Sequence, residues 1–130
     1  ITEVPSRFSY VYDDEDAPAE KLRKVAVRVY GADGVSLSRQ AERELARLTA
    51  CGFAQAPVCI AKTQASFSDD PSRLGAPTGW VLHVREVRGA AGAGFIVALT
   101  GDVMTMPGLP ARPAATRIGL DARGRITGLF

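Results

Sequence analysis

The sequence predicts an α/β fold, with two amino-terminal helices followed by a mixed sheet with long polar loops and a carboxy-terminal hairpin. Three observations predict it. Apolar residues recur at helical spacing before Pro57 and at strand spacing after it. An alternating run at 81–87 and an apolar run at 95–99, both of strand length, lie on either side of a stretch, 89–94, made only of Gly and Ala. A turn through Asp121 and Gly124 separates two short runs at the end, the pattern of a hairpin.

The elements follow in order. Residues 1–16 read as a lead-in, with Phe8, Tyr10 and Tyr12 alternating in a short strand-like run whose aromatic face needs a partner. The acidic cluster at 13–16 favours a helix start, because negative charge faces the positive end of the helix dipole. Asp16 is the expected N-cap and Pro18 fits the first turn. Leu22, Val25, Ala26 and Val29 form one apolar stripe, and the helix should stop by Gly31. Ser36 or Ser38 caps a second helix with Ala41, Leu45 and Leu48 buried. Gly52 suits the left-handed turn after it, folding Phe53 back on Leu48. Residues 58–61 read as a short buried strand. Residues 62–79 are polar and rich in Ser, Asp, Gly and Pro, so they form a loop that is long for a compact domain. Residues 80–88 alternate Trp80, Leu82 and Val84 against His83 and Arg85, a strand with one wetter face. Residues 95–99 are apolar on both faces and therefore interior. Residues 100–113 form another loop before the terminal hairpin.

Composition narrows the function. The 130 residues suit one domain, and 46% hydrophobic with 23% charged residues argues against disorder. A net charge of +2 is too small to argue for nucleic acid. No apolar run reaches the roughly 18 residues that a membrane span needs. Cys51 and Cys59 match no metal spacing and read as free, buried thiols in a reducing compartment. The chain begins with Ile1 rather than Met, as expected of a processed start or of part of something longer.

Few motifs carry chemistry. The run Gly89-Ala-Ala-Gly92-Ala-Gly94 lacks the Gly-Lys-Ser/Thr ending of a phosphate loop, and Phe95 opens a strand rather than a helix. Close backbone approach or flexibility explains its composition better. His83, the sole histidine, reads as structural. The most suggestive run is 62–70, which directly follows a strand, at the edge where open α/β sheets bind ligands. Lys62 offers a charge for phosphate. Thr63, Gln64, Ser66 and Ser68 offer hydrogen bonds, and Asp69 and Asp70 offer carboxylates for a cation shell. The plainer alternative is that Asp70-Pro71 starts a turn and the hydroxyls cap backbone groups. Thr100 opens the second loop, and Met104 and Met106 offer an apolar wall there. If 58–61 and 95–99 are parallel neighbours, the loops after them leave the sheet at the same edge and meet.

Several long strings resemble the end of formate–tetrahydrofolate ligases. They are Pro57-Val-Cys-Ile-Ala-Lys-Thr-Gln64, continuing through Ser66-Phe-Ser-Asp-Asp-Pro71, and Thr100-Gly-Asp-Val-Met-Thr-Met-Pro-Gly-Leu-Pro110. Tyr30-Gly-Ala-Asp-Gly-Val35, Ala91-Gly-Ala-Gly-Phe95 and Ile126-Thr-Gly-Leu-Phe130 also fit. Ala65 departs from the family, which commonly has tyrosine there. The resemblance implies a carboxy-terminal ligase domain at 17–130, preceded by a linker at 1–16 from a missing amino-terminal part. It implies an enzyme that uses ATP, with magnesium and a monovalent cation, to join formate to tetrahydrofolate through formyl phosphate. It also implies a cytoplasmic homo-oligomer, with the remainder of the ligase chain as partner, and no nucleic-acid or membrane partner. The family's phosphate loop has no counterpart in these residues, so the chain alone is expected to be inactive. A piece of the ligase should also expose apolar area that its neighbours would cover, at Phe8, Tyr10 and Tyr12, and should associate readily. The other readings are the small subunit of a split ligase, and a standalone small-ligand or anion-binding module.

Overall fold

The computed structural model describes residues 8–101, 103 and 113–128. Two helices pack on a four-stranded mixed sheet, and a separate two-stranded hairpin follows.

Helix α1 spans Pro18–Arg28. Pro18 sits at its start, where the missing N–H has no helical partner to lose. Asp16 is not the N-cap. That position falls to the extended Ala17, which offers no side-chain bond. The Asp16 carboxylate instead accepts the Asp13 N–H at 2.9 Å and the Lys24 ammonium at 2.5 Å. The Lys24 bond holds its carboxyl below the usual value. Leu22 and Ala26 are buried as the stripe predicts, whereas Val29, just past the last turn, is exposed. The unexpected buried residue is Lys21, with no exposed surface at all. Its ammonium donates to the Gln55 carbonyl at 2.7 Å and to the Ala56 carbonyl at 3.5 Å, and lies 5.2 Å from the centre of the Tyr12 ring. Periodicity assigns a lysine to water; here the carbonyls leaving the second helix supply the partners that burial requires.

The first strand, β1 at Gly34–Leu37, lies between the helices where the sequence suggests none. Four residues, half-buried and without strict alternation, are too short for a clear period. Helix α2 spans Arg39–Leu48. Ser38 caps it, accepting the Ala41 N–H at 3.0 Å and donating to the Arg85 carbonyl at 2.6 Å. Ala41, Leu45 and Leu48 are buried, as predicted. The helix runs into a wider final turn over Thr49–Phe53, where Gly52 takes a φ of +96° that favours glycine.

Strand β2 is Val58–Ala61, β3 is Val81–Ala90 and β4 is Phe95–Thr100. The strand order is β1-β3-β4-β2. β1 runs parallel to β3, β3 antiparallel to β4, and β2 parallel to β4. The Gly/Ala run is the β3–β4 hairpin turn. Gly89 also permits close packing, because a Cβ there would meet Leu48 Cδ2 at 2.6 Å. β4 is interior, as predicted. β2 is an edge strand, not a buried one; Cys59 on it is exposed, as is Cys51 in the turn after α2. Both thiols are free, but neither is buried.

A bulge between Val84 and Glu86 shifts the β3–β4 register, while β3 pairs with β1 along its other edge. Just past it, Glu44 of α2 accepts the Val87 N–H at 2.8 Å. The core lies between the helices and one sheet face, where Leu22, Ala26, Leu45 and Leu48 meet Leu82, Val84, Val87, Ile96 and Ala98.

Residues 8–12 form no strand. Phe8 and Tyr10 are strongly exposed and touch edge-on, with ring centres 5.0 Å apart. Tyr12 turns inward, and its hydroxyl accepts the Val58 N–H at 3.4 Å. The terminal hairpin pairs β5 (Gly119–Leu120) with β6 (Ile126–Thr127), as predicted.

Candidate functional site

The parallel pairing of β2 with β4 places Ala61 opposite Leu99. The loops that leave these strands, from Lys62 and from Thr100, therefore start side by side. Thr100 is buried, and its hydroxyl donates to the Ala61 carbonyl at 3.1 Å, tying the two exits together. Between the loops lies a hollow of about 540 Å³. Its walls include Lys62, Thr63, Gln64, Asp69, Thr100 and Gly101. Lys62, Thr63, Gln64, Asp69 and Thr100, all candidates from the sequence, thus share one cavity, and Asp70 does not line it. Ser66 faces away from it, into the loop's own interior. Met104 and Met106 lie outside the described residues.

The first loop is built largely by its own polar groups. Lys62 does not extend into open space. Its ammonium donates to the carbonyls of Thr63 (3.1 Å) and Ser66, and lies 4.9 Å from the centre of the Tyr30 ring. Burial pushes its pKa below the usual lysine value, and Asp69 works in the opposite direction. Ser66 and Ser68 are buried and share a hydrogen bond of 2.8 Å between their hydroxyls. Asp70 accepts from the Ser72 N–H (2.8 Å) and hydroxyl (2.6 Å), the turn its sequence suggests. The Ser72 hydroxyl holds that carboxyl below the usual value. Thr63 accepts the Ala65 N–H at 3.2 Å.

Asp69 fastens the loop to the sheet. One carboxylate oxygen accepts both the His83 N–H (2.7 Å) and the His83 ring nitrogen Nδ1 (3.0 Å). The sequence gives no hint of this pairing, because the two residues are distant along the chain and His83 sits on the wetter face of its strand. Gln64 stands apart. It is exposed at the cavity wall, and its side chain makes no hydrogen bond among the described residues.

These groups suit some ligand chemistry and not other kinds. Amide, hydroxyl and backbone groups at the wall can recognise hydrogen-bonding edges of an organic ligand. Asp69 and Asp70 each use one carboxylate oxygen, on His83 and on Ser72. Among the described residues no group of three or more candidate ligands converges. Among the described residues no phosphate cradle forms either: the Gly/Ala run is a strand-to-strand turn at the opposite end of β4, and Lys62 is held by carbonyls. A second, more apolar groove between α1 and α2 contains none of the residues picked from sequence. No helix among the described residues is long and apolar enough to cross a membrane.

Comparison with known proteins gives a single answer. The family model described as Formate--tetrahydrofolate ligase matches residues 1–130. The formate--tetrahydrofolate ligase of Symbiobacterium thermophilum is 63% identical over 130 residues, all of this chain and 23% of that relative. Those of Acidiphilium cryptum and Saccharopolyspora erythraea are each 56% identical, over 96% and 98% of this chain and 22% of each relative. The chain thus spans under a quarter of the length of the curated relatives that it matches.

Proposed function

The chain belongs to the formate–tetrahydrofolate ligase family, and from that premise we propose that it supplies one wall of the ligase's substrate cleft, formed where the loops after β2 and β4 meet. The observation that carries this reading is the parallel β2–β4 pair, which opens both loops into one cavity at the sheet edge. The wall contributes hydrogen bonds and shape. The rest of the longer protein supplies the phosphate-binding loop and any cation site, so these residues alone do not join formate to tetrahydrofolate through formyl phosphate. Within the wall, Lys62, Ser66 and Asp69 fix the loop's shape, and Thr63 and Gln64 face the ligand.

Gln64 provides the cleanest test, because no bond within the described residues depends on it. In the full-length protein, Gln64→Ala should raise the KM for ATP or for tetrahydrofolate roughly 5- to 30-fold, the loss of one hydrogen bond to a ligand worth about 1–2 kcal/mol. The melting temperature should not move. Unchanged Michaelis constants for both substrates, with full stability, would mean that the loop only knits this domain to itself.

A further inference from the structure

The terminal hairpin is amphipathic. Leu120 pairs directly with Ile126, so both point to one face, and Ile118 two residues earlier shares it. On the opposite face Arg125 and Asp121 form an ion pair of 2.8 Å, beside Thr127. The apolar face is uncovered: Leu120 is 72%, Ile126 61% and Ile118 44% exposed. Among the described residues, every hydrogen bond that residues 113–128 make stays within that segment. A lone two-stranded hairpin is at best marginally stable in water. Three aliphatic residues on one face, against a polar face closed by an ion pair, mark a surface built to be covered.

The geometry points to a cis docking arm: the Ile118, Leu120 and Ile126 face of the hairpin packs on an apolar surface of the longer protein, in the part outside these 130 residues. Two arguments select this occupant over a second copy. The matched relatives carry more than three quarters of their length outside the region that this chain covers. The face is also too small for association between copies. Three aliphatic side chains bury on the order of 300 Å², against about 800 Å² per partner in a stable complex. Docking within one chain avoids most of the lost translational freedom, because the tether sets a high effective concentration. This inference is independent of the substrate-cleft reading, and its test does not use turnover.

The test is amide hydrogen exchange on the full-length protein. The amides of Gly119, Asp121 and Thr127, which face the partner strand of the hairpin, should exchange ~100-fold more slowly than in an unstructured peptide, as packed elements do. The double variant Leu120→Lys/Ile126→Lys should lose that protection, and with it the protection of one further segment outside the 130 residues. Val97 and Ala98 in β4 should keep theirs, showing that the core stays folded. Should the variant fail to fold, the unsubstituted protein still decides. Hairpin amides exchanging near unstructured rates would overturn the proposal. Protection that fades on dilution would overturn it too, because it would place a second copy on the face.

Discussion

The 130-residue chain on its own is expected to show no formate-dependent ATP hydrolysis and no formylation of tetrahydrofolate. Phosphoryl transfer depends almost entirely on holding the donor in line and neutralising its charge. Positioning of that kind contributes about 7–11 kcal/mol to a well-oriented reaction. None of the described elements supplies it. The glycine-rich run turns one strand into the next, and Lys62 is held against its own loop's carbonyls. Turnover should therefore sit at background in an assay with formate, ATP, tetrahydrofolate and magnesium. Formate-dependent release of phosphate by chain free of longer ligase would contradict the division of labour proposed above.

Replacing Lys21 should produce the largest loss of stability among single substitutions of charged residues. Lys21→Ala leaves the Gln55 and Ala56 carbonyls without their donor and opens a void under the Tyr12 ring. The unmet acceptors and the cavity together cost about 2–4 kcal/mol. For a domain of this size that lowers the melting temperature by roughly 10 °C. Lys21→Met restores volume without the donor and should recover part of the loss. By contrast Lys24→Ala breaks a part-buried pair that still meets water and leaves no backbone carbonyl without its donor, so it should cost less. Equal melting temperatures for the Lys21 and Lys24 variants would show that the buried ammonium contributes no more than that part-buried pair.

Much of this architecture was legible from residue order, for physical reasons. Leu82 and Val84 are buried and His83 and Arg85 exposed because a strand alternates faces, and the run is long enough to show it. Ser38, Ala41, Leu45 and Leu48 announce α2 because cap and stripe agree. Other features depend on partners far along the chain. Nothing near Lys21 reveals the carbonyls at 55 and 56 that allow it to be buried. Nothing near Asp16 says that Lys24 would take its carboxylate from the helix end. β1 is too short to display a period, and β2 is an edge strand because no further strand of the described sheet pairs with it, which its own four residues do not encode. The candidate site divides in the same way. That the two loops start side by side follows from a parallel pairing which the sequence offers only as a condition. Lys62 and Ser66 are polar for the loop's own sake, as the plainer reading of the sequence allowed. The clasp between Asp69 and His83 is invisible until the chain folds.

A structure of the full-length protein with an ATP analogue and a folate bound tests the central claim most directly. The account predicts a ligand atom within hydrogen-bonding distance, about 3 Å, of Gln64 or Thr63, with the Asp69–His83 clasp intact behind them. Both ligands bound elsewhere, with the cavity between the two loops facing only solvent or protein, would contradict it.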